Sequence, residues 1–123
     1  MNLQSYTAAS TLPVKLLQNI ELVSSVQADY IPPVHVQLNP TNRCNLKCGF
    51  CSCSERDKKA ELPIDKIIDV MDRFKKLGCK SVTITGGGEP LLHPNINTML
   101  AVLNLDFGIK VGLVTNGTIK KIS

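Results

Sequence analysis

The chain of 123 residues contains no tryptophan, and aromatic residues make up only 4% of it. Because 43% of the residues are apolar, the chain can still build one core of ordinary size, and that core must be mainly aliphatic. No apolar run approaches the roughly 18 residues that indicate a membrane span. The N-terminal MNLQSYTAAS lacks a charged segment followed by an apolar run, so we expect no signal peptide.

Charge of one sign is not concentrated anywhere along the chain. The formal net charge of +4 is small, and the lysine pairs at 58–59, 75–76 and 120–121 are scattered and do not form a basic stripe interleaved with aromatic residues. This pattern is typical of solvated faces and does not favour nucleic-acid binding. Five cysteines without an export signal predict a cytoplasmic protein, in which clustered cysteines bind metal or take part in chemistry more often than they form disulfides.

The spacing of apolar residues predicts an N-terminal helix and then alternating strands and helices. The first helix is predicted over 12–26, within a helical extension that occupies residues 1–30. Strands are predicted over 34–38, 81–85 and 110–114, and helices from Pro63 to Gly78 and from Pro94 to about Leu105. Strands that alternate with helices predict the α/β class with parallel βαβ units.

Three unusual stretches follow the three predicted strands. NRCNLKCGFC follows the first strand, GGGEP the second and TNG the third. The carboxyl ends of strands in a parallel α/β sheet or barrel point the same way, and that end carries the active site. We therefore expect three stretches that are far apart in the sequence to converge in space.

The cysteines Cys44, Cys48 and Cys51 are the first of these features. They could share one face of a helix, but the residues between them are poor helix formers. A zinc site or a four-cysteine electron-transfer cluster, each with Cys53 as the fourth ligand, remains open. A [4Fe–4S] cluster suits three thiolates in one loop better, because each can bind a different iron and one iron stays open for chemistry.

The sequence resembles the radical S-adenosylmethionine (SAM) superfamily in all three stretches. C-x3-C-x2-C with an aromatic residue before the last cysteine, here Phe50, resembles the cysteine signature of these enzymes. GGEP at 87–90 resembles their second motif, and VTNGT at 114–118 resembles a common ending of their third strand. The likeness covers about residues 34–118.

The resemblance implies that Cys44, Cys48 and Cys51 hold a [4Fe–4S] cluster whose open iron is chelated by SAM. It implies reductive cleavage of SAM to a 5′-deoxyadenosyl radical, which abstracts hydrogen from a peptide or small-molecule substrate. An electron donor such as flavodoxin or ferredoxin is an implied partner, and no catalytic residue beyond the cluster ligands is expected. The implied SAM contacts are Phe50, Gly86, Gly87, Gly88, Glu89, Thr115 and Asn116. Ordinary packing of Phe50 and an ordinary Asn-Gly turn remain alternatives.

The resemblance also predicts the architecture. The superfamily has a partial TIM-type barrel with more βα units than the three predicted here, so residues 31–123 are expected to be a truncated core domain. We expect the chain to be a fragment or one half of a split enzyme, with a missing C-terminal half, and to turn over poorly by itself. His93 is predicted to have a capping or packing role, and Cys79 to be a buried small side chain.

Overall fold

The computed structural model of the chain describes residues 17, 20, 21 and 33–119. The chain divides into two compact units, Met1–Ile31 and Pro32–Ser123. In the first unit residues 17, 20 and 21 are helical, and the rest of the helix predicted over 12–26 lies outside the described residues. The second unit contains the sheet and every predicted site residue.

Three parallel strands form the sheet, as the sequence predicts. They are β1 (His35–Leu38), β2 (Ser81–Ile84) and β3 (Lys110–Leu113), and they lie side by side in chain order. A sheet in which each new strand is added beside the previous one is the arrangement of a βα barrel, whereas the strand order of a doubly wound sheet reverses at a switch point.

The register of the sheet aligns the carboxyl ends of the three strands. Leu38 pairs with Ile84, and Ile84 pairs with Leu113, so the last residues of the strands are abreast. The backbone continues this alignment by one residue, because the Thr85 amide donates to the Leu38 carbonyl and the Val114 amide to the Ile84 carbonyl, each at 2.9 Å. The segments that follow the strands therefore leave the sheet at one edge.

Helix α1 (Ile64–Lys76) connects β1 to β2 and buries Ile67 and Met71. It ends where the sequence predicts, in a Schellman motif, because Gly78 adopts a φ of 99° that favours glycine. The Gly78 amide donates to the Lys75 carbonyl and the Cys79 amide to the Phe74 carbonyl, both at 2.9 Å. Leu77 belongs to this cap and is exposed.

The segment between β2 and β3 is more irregular than the single helix predicted from Pro94 to about Leu105. It contains a 3-10 helix (Pro90–Leu92), helix α2 (Ile96–Ala101) and a π-helical turn (Val102–Asp106). The π turn is closed by the hydrogen bond from the Phe107 amide to the Val102 carbonyl, at 2.9 Å. This wider turn keeps Leu103 buried and leads the chain into β3 without a continuous α-helix.

The core is aliphatic, as the composition predicts, and lies between the sheet and the helices. Its buried members are Leu38, Ile67, Met71, Val82, Ile84, Leu91, Ile96, Met99, Leu103 and Ile109. Cys79 is buried beside the start of β2, as expected, and its thiol lies 3.3 Å from the Ser81 carbonyl. Within the described part of the chain, no helix has the length and apolar character needed to cross a membrane.

Candidate cofactor site

The loops after β1 and β2 are in direct backbone contact. The Gly88 amide donates to the Thr41 carbonyl at 3.1 Å, and the Glu89 amide donates to the Arg43 carbonyl at 2.7 Å. The glycine-rich stretch is thus hydrogen-bonded to Arg43, the residue that immediately precedes Cys44. Two of the three stretches that the sequence predicts to converge therefore do so.

The glycines of this stretch are required by close approach. A Cβ atom on Gly88 would lie 2.1 Å from the Arg43 carbonyl oxygen, and one on Gly87 would lie 2.1 Å from the Asn42 side-chain oxygen. A Cβ on Gly86 would lie 2.0 Å from the Gly88 carbonyl oxygen. The left-handed glycines of the described residues lie elsewhere, at 78, 108 and 117. The lack of a side chain at Gly86 and Gly88 therefore lets backbone approach backbone, and at Gly87 it leaves room for the Asn42 side chain. Such a turn can also bring its own backbone close to a small ligand.

Glu89 joins the second loop to the third. Its side chain is buried, with 2% exposure, so it is not a solvated surface charge. One carboxylate oxygen accepts hydrogen bonds from the Leu91 amide at 3.1 Å and the Thr115 hydroxyl at 2.7 Å, and the other accepts from the Asn116 amide at 2.7 Å. Three donors thus compensate for the desolvation of this carboxylate.

Asn45 joins the cysteine loop to the third loop, a contact that the sequence reading missed. The side-chain nitrogen of Asn45 donates to the Thr118 hydroxyl at 2.8 Å, and the side-chain oxygen of Asn45 accepts from the Asn116 side-chain nitrogen at 3.0 Å. The Thr118 hydroxyl in turn donates to the Asn116 side-chain oxygen at 2.7 Å. The three side chains form a closed ring of hydrogen bonds. The sequence did contain a signal for this contact. Asn45 is a hydrogen-bonding residue inside the cysteine motif, and the polar TNG motif was expected at the same edge of the sheet.

All five cysteines are free thiols. Cys44 is exposed, Cys48 and Cys51 are partly exposed, and the segment between them is not helical, so the interpretation of a shared helix face is wrong. A local turn links the Cys51 amide to the Cys48 carbonyl at 3.1 Å. Within the described residues, no three histidine, cysteine or acidic side chains converge as a metal site. Three accessible thiols in one irregular loop nevertheless fit the donor set of an iron–sulfur cluster.

Cys53 lies in a succession of turns beyond the cysteine motif. The Arg56 amide donates to its carbonyl at 3.3 Å, and its sulfur lies 3.8 Å from the Ser52 hydroxyl. The thiol is partly exposed.

A cavity of about 330 Å³ opens beside the first cysteine. Its lining consists of Arg43, Cys44, Leu46, Lys47, Lys58 and Leu92. Arg43 forms an ion pair with Glu61 at 2.7 Å, so the two lysines supply most of the positive charge. The cavity therefore places two lysines beside the first thiol of the cysteine motif.

Phe50 and His93 differ sharply in their surroundings. Phe50 is 92% exposed, so its ring is not part of the core. His93 is buried, its Nδ1 accepts from the Asn95 amide at 3.2 Å, and its Nε2 lies 2.9 Å from the Leu62 carbonyl oxygen. Nε2 therefore carries the proton. His93 has the capping and packing role that the sequence predicts.

Comparison with known proteins identifies similar chains. The sequence signature described as the Radical SAM superfamily matches residues 38–122. The chain is 39% identical over 79 residues to 7-carboxy-7-deazaguanine synthase from Clostridium acetobutylicum, which covers 62% of this chain and 34% of that protein. It is 34% identical over 95 residues to GTP 3′,8-cyclase from Staphylococcus aureus, which covers 70% of this chain and 28% of that protein. The chain thus spans about a third of the length of these curated relatives.

The fold is similar to that of solved structures of Streptococcus suis SuiB. The structure of SuiB bound to the precursor peptide SuiA matches with a TM-score of 0.67 at 25% identity, over 97% of this chain and 27% of that one. SuiB bound to S-adenosylmethionine matches with a TM-score of 0.67 at 28% identity, over 93% of this chain and 26% of that one. The predicted class, α/β with three βα units of a partial TIM-type barrel, is confirmed. The chain belongs to the radical SAM superfamily, whose cofactors are a [4Fe–4S] cluster and S-adenosylmethionine.

Proposed function

We propose that this chain provides the cluster-binding and SAM-binding part of a radical SAM enzyme, with Cys44, Cys48 and Cys51 as the cluster ligands. The observation that carries the proposal is the joining of three loops at one edge of the sheet. Glu89 contacts Arg43 in the first loop and Asn116 in the third, each at 2.7 Å. Three free thiols lie in the first of these loops.

Held by Cys44, Cys48 and Cys51 and by the glycine-rich loop, the cluster and SAM would supply the chemistry: one-electron reductive cleavage of SAM to methionine and a 5′-deoxyadenosyl radical, and hydrogen abstraction from the substrate. The protein binds and orients. We assign the methionyl amino group to the backbone of Gly86, Gly87 and Gly88 near Glu89. An amino group bound to iron still has N–H groups that donate hydrogen bonds, so it needs carbonyl oxygens, and the compact glycine turn supports this assignment.

Phe50, Thr115 and Asn116 complete the proposed SAM site. The exposed ring of Phe50 is free to stack on adenine, because packing against the core does not occupy it. Thr115 and Asn116 belong to the loop that Glu89 holds at the same edge. Their position supports contacts to the cofactor, although each also takes part in hydrogen bonds within the loops.

The substrate class is proposed to be a peptide. The support comes from SuiB, one solved structure of which holds its precursor peptide SuiA. A small molecule is the alternative, supported by the names of the curated relatives, a GTP cyclase and a deazaguanine synthase. We further propose a cytoplasmic location, because reducing conditions keep the thiols free. We also propose a one-electron donor protein such as a flavodoxin or ferredoxin, because the cluster has to be reduced before SAM is cleaved.

The proposal is tested by anaerobic reconstitution of the chain with iron and sulfide, followed by reduction and electron paramagnetic resonance with and without SAM. We expect the signal of a reduced [4Fe–4S] cluster, and a change in that signal when SAM binds. A cluster spectrum that SAM leaves unchanged would contradict a radical SAM role and would indicate electron transfer instead.

Single replacements of the cysteines test the ligand assignment. We expect Cys44→Ala, Cys48→Ala and Cys51→Ala each to abolish the cluster, because each removes one of three ligands. Cys53→Ala is the matched control and should retain the cluster signal. Loss of bound metal in Cys53→Ala, from a protein that is colourless and binds zinc, would instead indicate a closed four-cysteine site.

A further inference from the structure

Both neighbours of Cys44 are held by other loops. On one side, the Arg43 carbonyl accepts the Glu89 amide at 2.7 Å. On the other side, the Asn45 side chain bonds to Thr118 at 2.8 Å and to Asn116 at 3.0 Å. The backbone of Cys44 therefore lies between two anchored residues.

The two anchored residues, Arg43 and Asn45, belong to one series of hydrogen bonds that passes through Glu89 and Asn116. We call this series the circuit. The backbone amide of Glu89 holds Arg43, while its carboxylate accepts the Asn116 amide at 2.7 Å. Asn116 then reaches Asn45 through its side chain, which completes the circuit around Cys44. The Glu89 residue is buried at 2% exposure, which shields its hydrogen bonds from water, whereas the hydrogen bonds among Asn45, Asn116 and Thr118 are exposed.

The other two cysteines of the motif are not anchored in this way. The Cys48 carbonyl accepts the Cys51 amide at 3.1 Å, which is a contact within the loop itself. Within residues 33–119, no hydrogen bond from the second or third loop reaches residues 46–51. The three thiols therefore differ in how far the protein fixes them before a metal binds.

We propose that Glu89 is a positioning residue that, through Arg43 and Asn45, fixes the chain on both sides of Cys44 and presents this thiol as the preformed anchor of the cluster. Cys48 and Cys51 lie on the part of the loop that closes around the cluster. This inference rests on the proposed function for the identity of the cluster. The anchoring itself is a property of the metal-free chain and is measured separately.

Two replacements of Thr118 test the hydroxyl that bonds to both Asn45 and Asn116, without disturbing the buried core. Thr118→Val keeps the shape but removes the hydroxyl that accepts from Asn45 and donates to Asn116, whereas Thr118→Ser retains it. Asn45→Ala breaks the circuit from the other loop, and Asn104→Ala, at an exposed position in the π turn, is its matched control.

The first measurement is amide hydrogen exchange in the metal-free chain. Thr118→Val and Asn45→Ala should increase exchange at the amides of Glu89 and Asn116, which donate hydrogen bonds of the circuit, while Thr118→Ser and Asn104→Ala should leave it unchanged. Glu89→Gln should have the same effect as Thr118→Val, because an amide cannot accept from all three donors. Equal exchange in all variants that fold would overturn the anchoring of Cys44, whatever metal the protein binds.

The second measurement is the rate at which an iron chelator removes the reconstituted cluster. Replacement of outer groups that orient metal ligands typically weakens binding by 10–100-fold, so Thr118→Val should lose iron about tenfold faster than the parent chain. Thr118→Ser should restore the parent rate. Equal rates for Thr118→Val and the parent would overturn the role in cluster binding. Failure of the parent chain to form any cluster would instead overturn the proposed function, and the exchange result would stand alone.

Discussion

At the residue scale, Gly88 shows how close two loops can lie when a side chain is absent. A Cβ atom at this position would lie 2.1 Å from the Arg43 carbonyl oxygen and 2.5 Å from the Arg43 carbonyl carbon. Both contacts are with backbone, so relief requires a shift of the first loop, the second loop or both. The residue before Cys44 would move with them.

We therefore expect Gly88→Ala to lower the free energy of unfolding of the metal-free chain by about 2 kcal/mol or more. Urea denaturation followed by circular dichroism measures this change. Gly49→Ala is the matched control, because a Cβ there would meet nothing within 4 Å, and its effect should stay within about 1 kcal/mol. Similar stabilities for the two variants would contradict the close approach.

His93 is a second residue whose role depends on burial. Removal of the imidazole by His93→Ala leaves the Asn95 amide and the Leu62 carbonyl without their partner and opens a cavity. We expect a loss of about 2–4 kcal/mol in the free energy of unfolding, measured by urea denaturation. His35→Ala is the control: its imidazole is exposed, so the change should be about 0.5 kcal/mol or less. A cluster lost in His93→Ala without loss of stability would contradict a packing role.

At the element scale, the end of α1 was predictable because a local rule determines it. Gly78 has a φ of 99° and supports the two hydrogen bonds that close the helix. By contrast, the helix predicted from Pro94 to about Leu105 is divided into α2 and a π turn. Both forms place apolar residues on a buried face, so sequence spacing alone does not distinguish them.

The helix cap gives a prediction at this scale. Gly78→Ala forces a Cβ into the left-handed region and should lower the free energy of unfolding by about 1 kcal/mol. Gly78→Asn should lower it less, because asparagine tolerates this region better than other side chains. Thermal unfolding of the two variants and the parent measures the order. A Gly78→Ala variant as stable as the parent would show that the cap does not depend on the glycine.

At the scale of the whole molecule, the proposed cluster site and the core are separate. Within the described residues, the buried core cluster includes none of residues 44–53. We therefore expect removal of the cluster by a chelator to leave the chain folded, with the same far-ultraviolet circular dichroism and a cooperative thermal transition. Unfolding upon chelation would indicate a structural metal site, in which binding supplies the folding free energy.

The length of the chain leads to another prediction. It spans about a third of the length of its curated relatives, and the resemblance implies that further contacts to ribose and adenine come from later strands. We expect the 123-residue chain to bind the cluster and yet release little 5′-deoxyadenosine when reduced with SAM. Chromatography of the products measures this, with cluster content as the control. Robust turnover without a partner would contradict the expectation.

The sequence alone predicted the class of the fold, the positions of its three strands along the chain and the meeting of three motifs at one edge. These features follow from local periodicity, from turn residues and from the common direction of parallel strands, none of which requires coordinates. The three thiols were visible for the same reason, since their spacing lies within one loop.

How the three motifs are joined becomes visible only in the tertiary structure. The burial of Glu89, its hydrogen bonds to Thr115 and Asn116, and the link from Asn116 to Asn45 connect residues up to 71 positions apart. Side-chain direction and loop packing set these contacts, and no short-range pattern records them. Hence the sequence identifies which cysteines can bind a cluster, whereas the fold determines that Cys44 is the one held in place, because both its neighbours are bonded to other loops.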